Sequence, residues 1–210
     1  MEQEQLTKFS AFVDENKGKR KFSQSVELAI NFTGLDFNKL DNRLNMEVRL
    51  PNGKGKEHKI MVFADDLKMT EKAEQLGAKV VPGSQISIIS NDKERLKELL
   101  EYELFAQPSL MPIIAKTFGQ FLGPRNKMPR PIVGDVNNQI SNATKSIYIR
   151  SKGKYLPTVH CMVGTEKMKT EELAANVDEV LAAIIKKTGS KQYLKSVFVK
   201  FTMGKPYKLV

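Results

Sequence analysis

The stretch LKSVFVKFTMGKPYKLV, residues 194–210, carries an alternating strand that runs into a bare loop. Val197, Val199 and Phe201 alternate with Ser196, Phe198, Lys200 and Thr202, the period-2 pattern of a strand with one face on a core and one face open. It stops at Thr202-Met203-Gly204, where glycine removes the side chain that would hold a ligand's backbone away and methionine adds a flexible apolar contact. No acidic residue follows Glu179, whereas Lys186, Lys187, Lys191, Lys195, Lys200, Lys205 and Lys208 do. A basic strand ending in a small loop points to RNA.

The partners of this strand have to come from elsewhere in the chain. Just upstream, LPTVHCMV (156–163) reads as a strand and 170–187 as the strongest helix, with Thr170 as cap, Glu171 and Glu172 in its first turn, Lys186 and Lys187 in its last, and Gly189 as its stop. Its apolar face is Leu173, Val177, Val180, Leu181, Ile184 and Ile185. At the other end of the chain, Leu6, Phe9 and Val13 set a helix over 2–16. SVELAINF (25–32) then alternates Val26, Leu28, Ile30 and Phe32 with Ser25, Glu27, Ala29 and Asn31, and NMEVRL (45–50) ends at the turn Pro51-Asn52-Gly53.

Between these ends the pattern changes. KIMVFADD (59–66) is a nearly continuous apolar strand, followed by a helix over 67–76, the strands AKVV (78–81) and GSQISII (83–89), the proline-rich FLGPRNKMPRP (121–131), and the strand KSIYIR (145–150). Short apolar strands alternating with helices predict a mainly parallel sheet.

Neither terminal piece has enough core alone, because a two-stranded sheet is marginal. Together they predict an α/β protein of two parts. The outer domain, 1–53 plus 151–210, is α+β, with a four-stranded sheet and helices on one face. Residues 54–150 interrupt it as a Rossmann-like α/β domain. The crossings Gly53-Lys54-Gly55-Lys56 and Ser151-Lys152-Gly153-Lys154 read as paired hinges around Gly53, Gly55 and Gly153.

Charge narrows the partners. The net charge is +10 over 210 residues. Residues 1–53 balance 8 basic against 8 acidic groups, 54–150 carry 15 against 11, and 151–210 carry 11 against 5. A late basic excess fits phosphate contacts and counterion release. No apolar run approaches the roughly 18 residues of a membrane span, and MEQEQLTKFSAF lacks the basic start and apolar stretch of a signal peptide, so the reading is cytoplasmic, with no membrane partner.

Catalytic and metal chemistry find little material. Cys161 is the one cysteine, and His58 and His160 are the histidines. His160 and Cys161 are neighbours in a strand and point to opposite faces, so they do not meet as base and nucleophile. Gly53-Lys54-Gly55-Lys56 is not a phosphate loop, since Leu50 and Glu57 stand where Gly and Ser or Thr are needed. No G-x-G-x-x-G follows KIMVF, and Ala64-Asp65-Asp66 there repels a pyrophosphate. Asp65-Asp66 reads as a solvated helix start. No cofactor and no metal is expected.

The polar face of the outer sheet is the better candidate. Ser25, Glu27, Ser196, Lys200 and Thr202 offer hydroxyls and a carboxylate for ribose 2′-OH groups and an ammonium for phosphate.

Five stretches in order, RKFSQSVELAINF, NRLNMEVRLPNGKGK, FLGPRNKMPRP, HCMVGTEKMKTEELAANV and SVFVKFTMGKP, resemble the ribosomal protein L-one family over nearly the whole chain. The short length, Asn42-Arg43 and the KMPRP ending are more similar to its archaeal branch. The resemblance implies a non-enzymatic protein that is monomeric off the ribosome and binds large-subunit ribosomal RNA at the mobile stalk beside the tRNA exit site. It also implies help in releasing deacylated exit-site tRNA, and repression of the protein's own mRNA. Carried over by position, the RNA contacts are Phe22, Ser25, Glu27, Ser196, Thr202, Met203 and Gly204, with Lys21 at the backbone. Ser25 stands where many relatives have Thr, Lys205 separates Gly204 from Pro206, and Asn126 replaces a glycine usual after LGPR. The rival reading is a hinged small-molecule or nucleotide binder, or an enzyme, with an interdomain cleft.

Overall fold

A computed structural model describes residues 3–56, 59–151 and 156–209. The chain begins α1 (Gln3–Asn16), β1 (Ser25–Phe32), β2 (Asn45–Arg49), β3 (Ile60–Phe63), α2 (Leu67–Gln75) and β4 (Lys79–Val81). It continues α3 (Ile86–Asn91), α4 (Lys93–Glu98), β5 (Glu103–Ala106), α5 (Met111–Leu122), β6 (Arg130–Pro131) and α6 (Val136–Lys145). It ends β7 (Ser146–Arg150), β8 (Thr158–Thr165), α7 (Thr170–Thr188), β9 (Leu194–Phe201) and β10 (Tyr207–Lys208). Two compact units result, Met1–Lys56 with Lys145–Val210, and Glu57–Thr144.

The first unit is built on an antiparallel sheet of order β10-β9-β1-β8. The alternation read in β1 and β9 is realised: Val26, Leu28, Ile30, Val197, Val199 and Phe201 are buried against α1 and α7, while the intervening residues stay partly open. Burying each such side chain is worth about 1.5–3 kcal/mol, which sets the register, because a one-residue slip would turn every one of them outward.

Two expectations change here. The fourth strand of this sheet is the two-residue β10, not NMEVR. β2 instead pairs antiparallel with β7 in a ribbon of its own, Met46 opposite Ile149 and Val48 opposite Ile147. KSIYIR therefore belongs to the first unit rather than closing the inserted one, since Ile147 and Ile149 bury into the same core as Val48 and Leu50.

α7 starts one residue differently from its sequence reading. Lys169 is the cap, and its backbone N–H donates to the Glu172 carboxylate at 3.0 Å, closing the first turn without the Thr170 hydroxyl. Gly189 ends the helix at φ 82° with its N–H on the Ile185 carbonyl.

Asn176, fully buried on α7, donates to the carbonyls of Gly53 (2.9 Å) and Val163 (2.7 Å) and accepts from Asn52 N–H (3.1 Å). Thr165 likewise donates to the Gly55 carbonyl at 3.0 Å. A Cβ on Gly55 would lie 2.5 Å from the Met168 sulfur. Gly53 and Gly55, expected as hinge points, are thus pinned into the body of the first unit. Gly153 lies outside the described residues, as does His58.

The second unit is a parallel sheet of order β4-β3-β5-β6 covered on both faces. Met61 and Phe63 pack with α3 and α5, and Ile60 and Val62 pack with α2 and α6. This explains why β3 reads as an unbroken apolar run. GSQISII, expected as a strand, is a 3-10 turn leading into α3. Ile86 and Ile89, three apart, are buried, and Ile88 is exposed, which is helical spacing. α5 ends where the prolines begin, and Asn126 in the following turn takes φ 54°, a left-handed conformation asparagine tolerates better than most residues.

Candidate nucleic-acid interface

The open face of the antiparallel sheet presents rows fixed by register. Lys200, Glu27 and Met162 form one, Phe198, Ala29 and His160 the next, and Ser196, Asn31 and Thr158 the third. In the third row Thr158 Oγ1 donates to Asn31 Oδ1 (2.8 Å) and Asn31 Nδ2 donates to Ser196 Oγ (2.9 Å). In the first, Lys200 Nζ lies 4.0 Å from Glu27 Oε2, both side chains more than a third exposed. Such a pair is worth at most about 1 kcal/mol, so exchanging it for a phosphate and a ribose hydroxyl costs little.

At the end of β9 the tip is lashed to the start of β1. Thr202 N–H donates to the Ser25 carbonyl (3.1 Å), and the Thr202 hydroxyl accepts from Ser25 N–H (3.1 Å) while facing the Ser25 carbonyl at 3.3 Å. Met203 N–H donates to Gln24 Oε1 (3.2 Å), and Gln24 is buried, its own carbonyl accepting from Glu166 N–H. Gly204 N–H closes the turn on the Phe201 carbonyl (2.9 Å), and a Cβ there would sit 3.1 Å from the Phe201 Cβ. With its backbone held this way, the Met203 side chain is left 61% exposed.

The structure thus joins Ser25 to Thr202 and Glu27 to Lys200, and sets Ser196 two rows further along. Phe22, 50% exposed, and Lys21 lie on the exposed loop before β1. Gln24, Asn31 and His160 were missed by the sequence reading. Asn31 and His160 were legible as open-face positions of alternating strands. Nothing local marks Gln24, whose bond to Met203 spans 179 residues.

Cys161 is buried on the other face from the exposed His160, and burial pushes its thiol up to about 12. It stays a neutral packing group at neutral pH. Among the described residues no group of three or more His, Cys, Asp or Glu is placed to hold a metal ion, and no helix is long and apolar enough to cross a membrane.

The second unit offers a rival site at the carboxyl ends of β3 and β5, where parallel sheets commonly bind ligands. Here the donors are already taken. Gln107 Oε1 accepts from the N–H groups of Asp65 (3.1 Å) and Asp66 (3.4 Å), and Asp65 Oδ1 accepts from Gly83 N–H (2.7 Å). Asp66 Oδ1 caps α2 through Lys68 N–H (2.9 Å). Two carboxylates stand where a phosphate would sit.

An antiparallel α+β unit completed by both ends of the chain, and interrupted by a parallel α/β unit, defines a split two-unit α/β protein with an exposed basic tip. Residues 10–205 match the Ribosomal protein L1p/L10e family, and the chain belongs to that family. It is 41% identical over 197 residues to the "Large ribosomal subunit protein uL1" of Pyrococcus abyssi, covering 90% of this chain and 88% of that protein. The uL1 protein of Methanosarcina acetivorans is 40% identical over 204 residues, 94% of each chain, and that of Methanothermococcus thermolithotrophicus 37% over 195 residues, 90% of each. The resemblance to the archaeal branch read from the sequence holds.

Proposed function

We propose that this protein is a cytoplasmic component of the large ribosomal subunit that binds large-subunit ribosomal RNA at the mobile stalk through the first unit, into which the second is inserted. The observation that carries the reading is the tip: Met203 stands exposed because Thr202 and Gln24 hold its backbone, with Phe22 and Lys21 exposed on the loop that leads into β1 and the Glu27–Lys200 pair on the strands that the tip joins. Exposed apolar and aromatic groups read the shallow groove and unpaired bases of folded RNA, while the lysines take phosphates. Thr202 acts as a positioning residue, since its hydroxyl is occupied by Ser25, and Met203 makes the contact.

Assisting the release of deacylated exit-site tRNA and repressing its own mRNA belong to the same proposal, on the strength of the family resemblance. An mRNA that copies the stalk fold would occupy the same tip. Neither role requires catalysis, a cofactor or a partner subunit.

The test is a titration of a stalk rRNA fragment and a scrambled fold of equal length at two salt concentrations. With about six phosphates contacted, log affinity falls with log salt at a slope near −4 to −5 for both RNAs, and the cognate fold binds tighter at either salt. Equal affinity for the two folds would refute specific recognition.

A further inference from the structure

We propose that the groove between the end of α1 and the tip loop is a pocket for one unstacked nucleotide of the bound RNA. This rests on the RNA-binding reading above and deepens it by naming the part of the RNA recognised.

The groove has a volume of about 830 Å³, within the range of about 300–1,000 Å³ typical of small-ligand clefts and enough for a nucleoside with its flanking phosphates. Its floor is apolar and aromatic. The Phe12 and Tyr207 rings stack at 4.9 Å between centroids and 21° between planes, and Met203 adds its thioether from the tip. Its banks are cationic, with Lys19 and Arg20 from the loop after α1 on one side and Lys205 on the other. All three are exposed, and none has an ion-pair partner among the described residues.

Gln24 adds an independent observation. It lines the groove, is only 2% exposed, and uses its side-chain oxygen on Met203 N–H. Its amide nitrogen has no acceptor among the described residues and is not one of their fully buried atoms, so this donor remains open to a ligand in the groove. A base carbonyl or ring nitrogen would accept from it. Glu15 is the one carboxylate in the lining. It disfavours a phosphate at that end and accepts from a base amino group or a 2′-OH.

The chemistry selects among occupants. Cations on both banks with a π-stacked floor between them suit a phosphodiester chain whose base turns inward, because aromatic stacking and phosphate pairing act on different parts of one nucleotide. An acidic peptide would satisfy the cations and leave the floor and Gln24 unused. The groove also shares Met203 and Gly204 with the tip, so RNA seated there runs directly into it.

The experiment uses the full chain and a hairpin fragment of large-subunit stalk rRNA, made abasic at one unpaired nucleotide at a time. Loss of one particular base should weaken binding about tenfold, the scale of a single base–aromatic stack. In Tyr207→Leu, checked for native circular dichroism, removing that base should cost less than twofold. The Lys19→Ala/Lys205→Ala double variant should lower the salt slope by about 2. A full abasic penalty in well-folded Tyr207→Leu, or no sensitive base at all, overturns the pocket while leaving tip binding intact. Polyglutamate binding as tightly as the hairpin overturns it too. If the intact hairpin fails to bind the native protein, the RNA reading itself falls, and the pocket with it.

Discussion

The tip of the antiparallel sheet and the carboxyl edge of the parallel sheet are both loops at strand ends, and they dispose of their polar groups in opposite ways. At the tip, Gln24, Ser25 and Thr202 secure the backbone and leave Met203, Phe22 and the surrounding lysines facing outward. At the parallel edge, Gln107 and Asp65 consume the N–H groups of Asp65, Asp66 and Gly83 that would otherwise hold an anion. Strand order alone favours the parallel edge as a ligand site, because that is where switch points bind nucleotides. Unused donors and the sign of the charge favour the tip. Where two folds meet in one chain, the site follows the groups left over after folding.

Removing the second unit is the largest perturbation of the molecule. A chain joining residues 1–56 to 145–210 through a short linker should fold cooperatively and bind the stalk rRNA fragment within about threefold of the full protein, read by filter binding. Joining 1–53 to 151–210 deletes β7, with Ile147 and Ile149, and leaves β2 without its partner. That loss of core should cost at least about 4 kcal/mol, measured by urea unfolding. If the second chain were as stable as the first, the ribbon would not be part of the core of the first unit.

Within the tip, Met203→Ala should cost about 1–3 kcal/mol of binding to the cognate fold and little to random duplex RNA. Thr202→Val should cost a similar amount by freeing the Ser25 backbone, whereas Thr202→Ser should recover most of it. Equal losses on both RNAs would make the tip a generic anchor.

At the parallel edge, Gln107→Ala removes the acceptor of two backbone N–H groups. Stability should fall by about 1–2 kcal/mol with RNA affinity unchanged. A drop in affinity at equal fold stability would bring that edge into the interface.

The smallest effect concerns the closed face behind the site. Burial raises the Cys161 thiol from 9.0 to about 12, so the folded state holds this proton more tightly than the unfolded state. The associated stability is fully present below pH 9, and it is lost as pH rises from there toward 12. A thiol-reactive dye should label the native protein far more slowly than the urea-unfolded one. Rapid native labelling at pH 8 would show that the sheet and α7 open readily.

Much of this was readable along the chain. The alternation of β1 and β9 identified the buried and open faces, because a strand's period is 2 whatever it pairs with. The composition of Thr202-Met203-Gly204 marked an exposed tip. What Thr202 does was not legible, since its hydroxyl partner lies 177 residues away. Nor was the role of Gln24, which looks like any polar loop residue until the fold brings it under Met203. GSQISII was misread because a short apolar run satisfies strand and helix alike until burial of Ile86 and Ile89 separates them.

The chain alone shows which residues are apolar on each strand, how far α1, α2 and α7 run, and where positive charge accumulates. These follow from local periodicity and side-chain chemistry. The pairing of β2 with β7, the two-residue β10 at the sheet edge, and the ties of Gly53 and Gly55 to α7 and β8 emerge only in the folded chain. Periodicity tells a strand which face to bury and is silent about which edge its backbone will meet. The groove beside the tip has the same origin, because its walls come from opposite ends of the chain and exist only once those ends share one core.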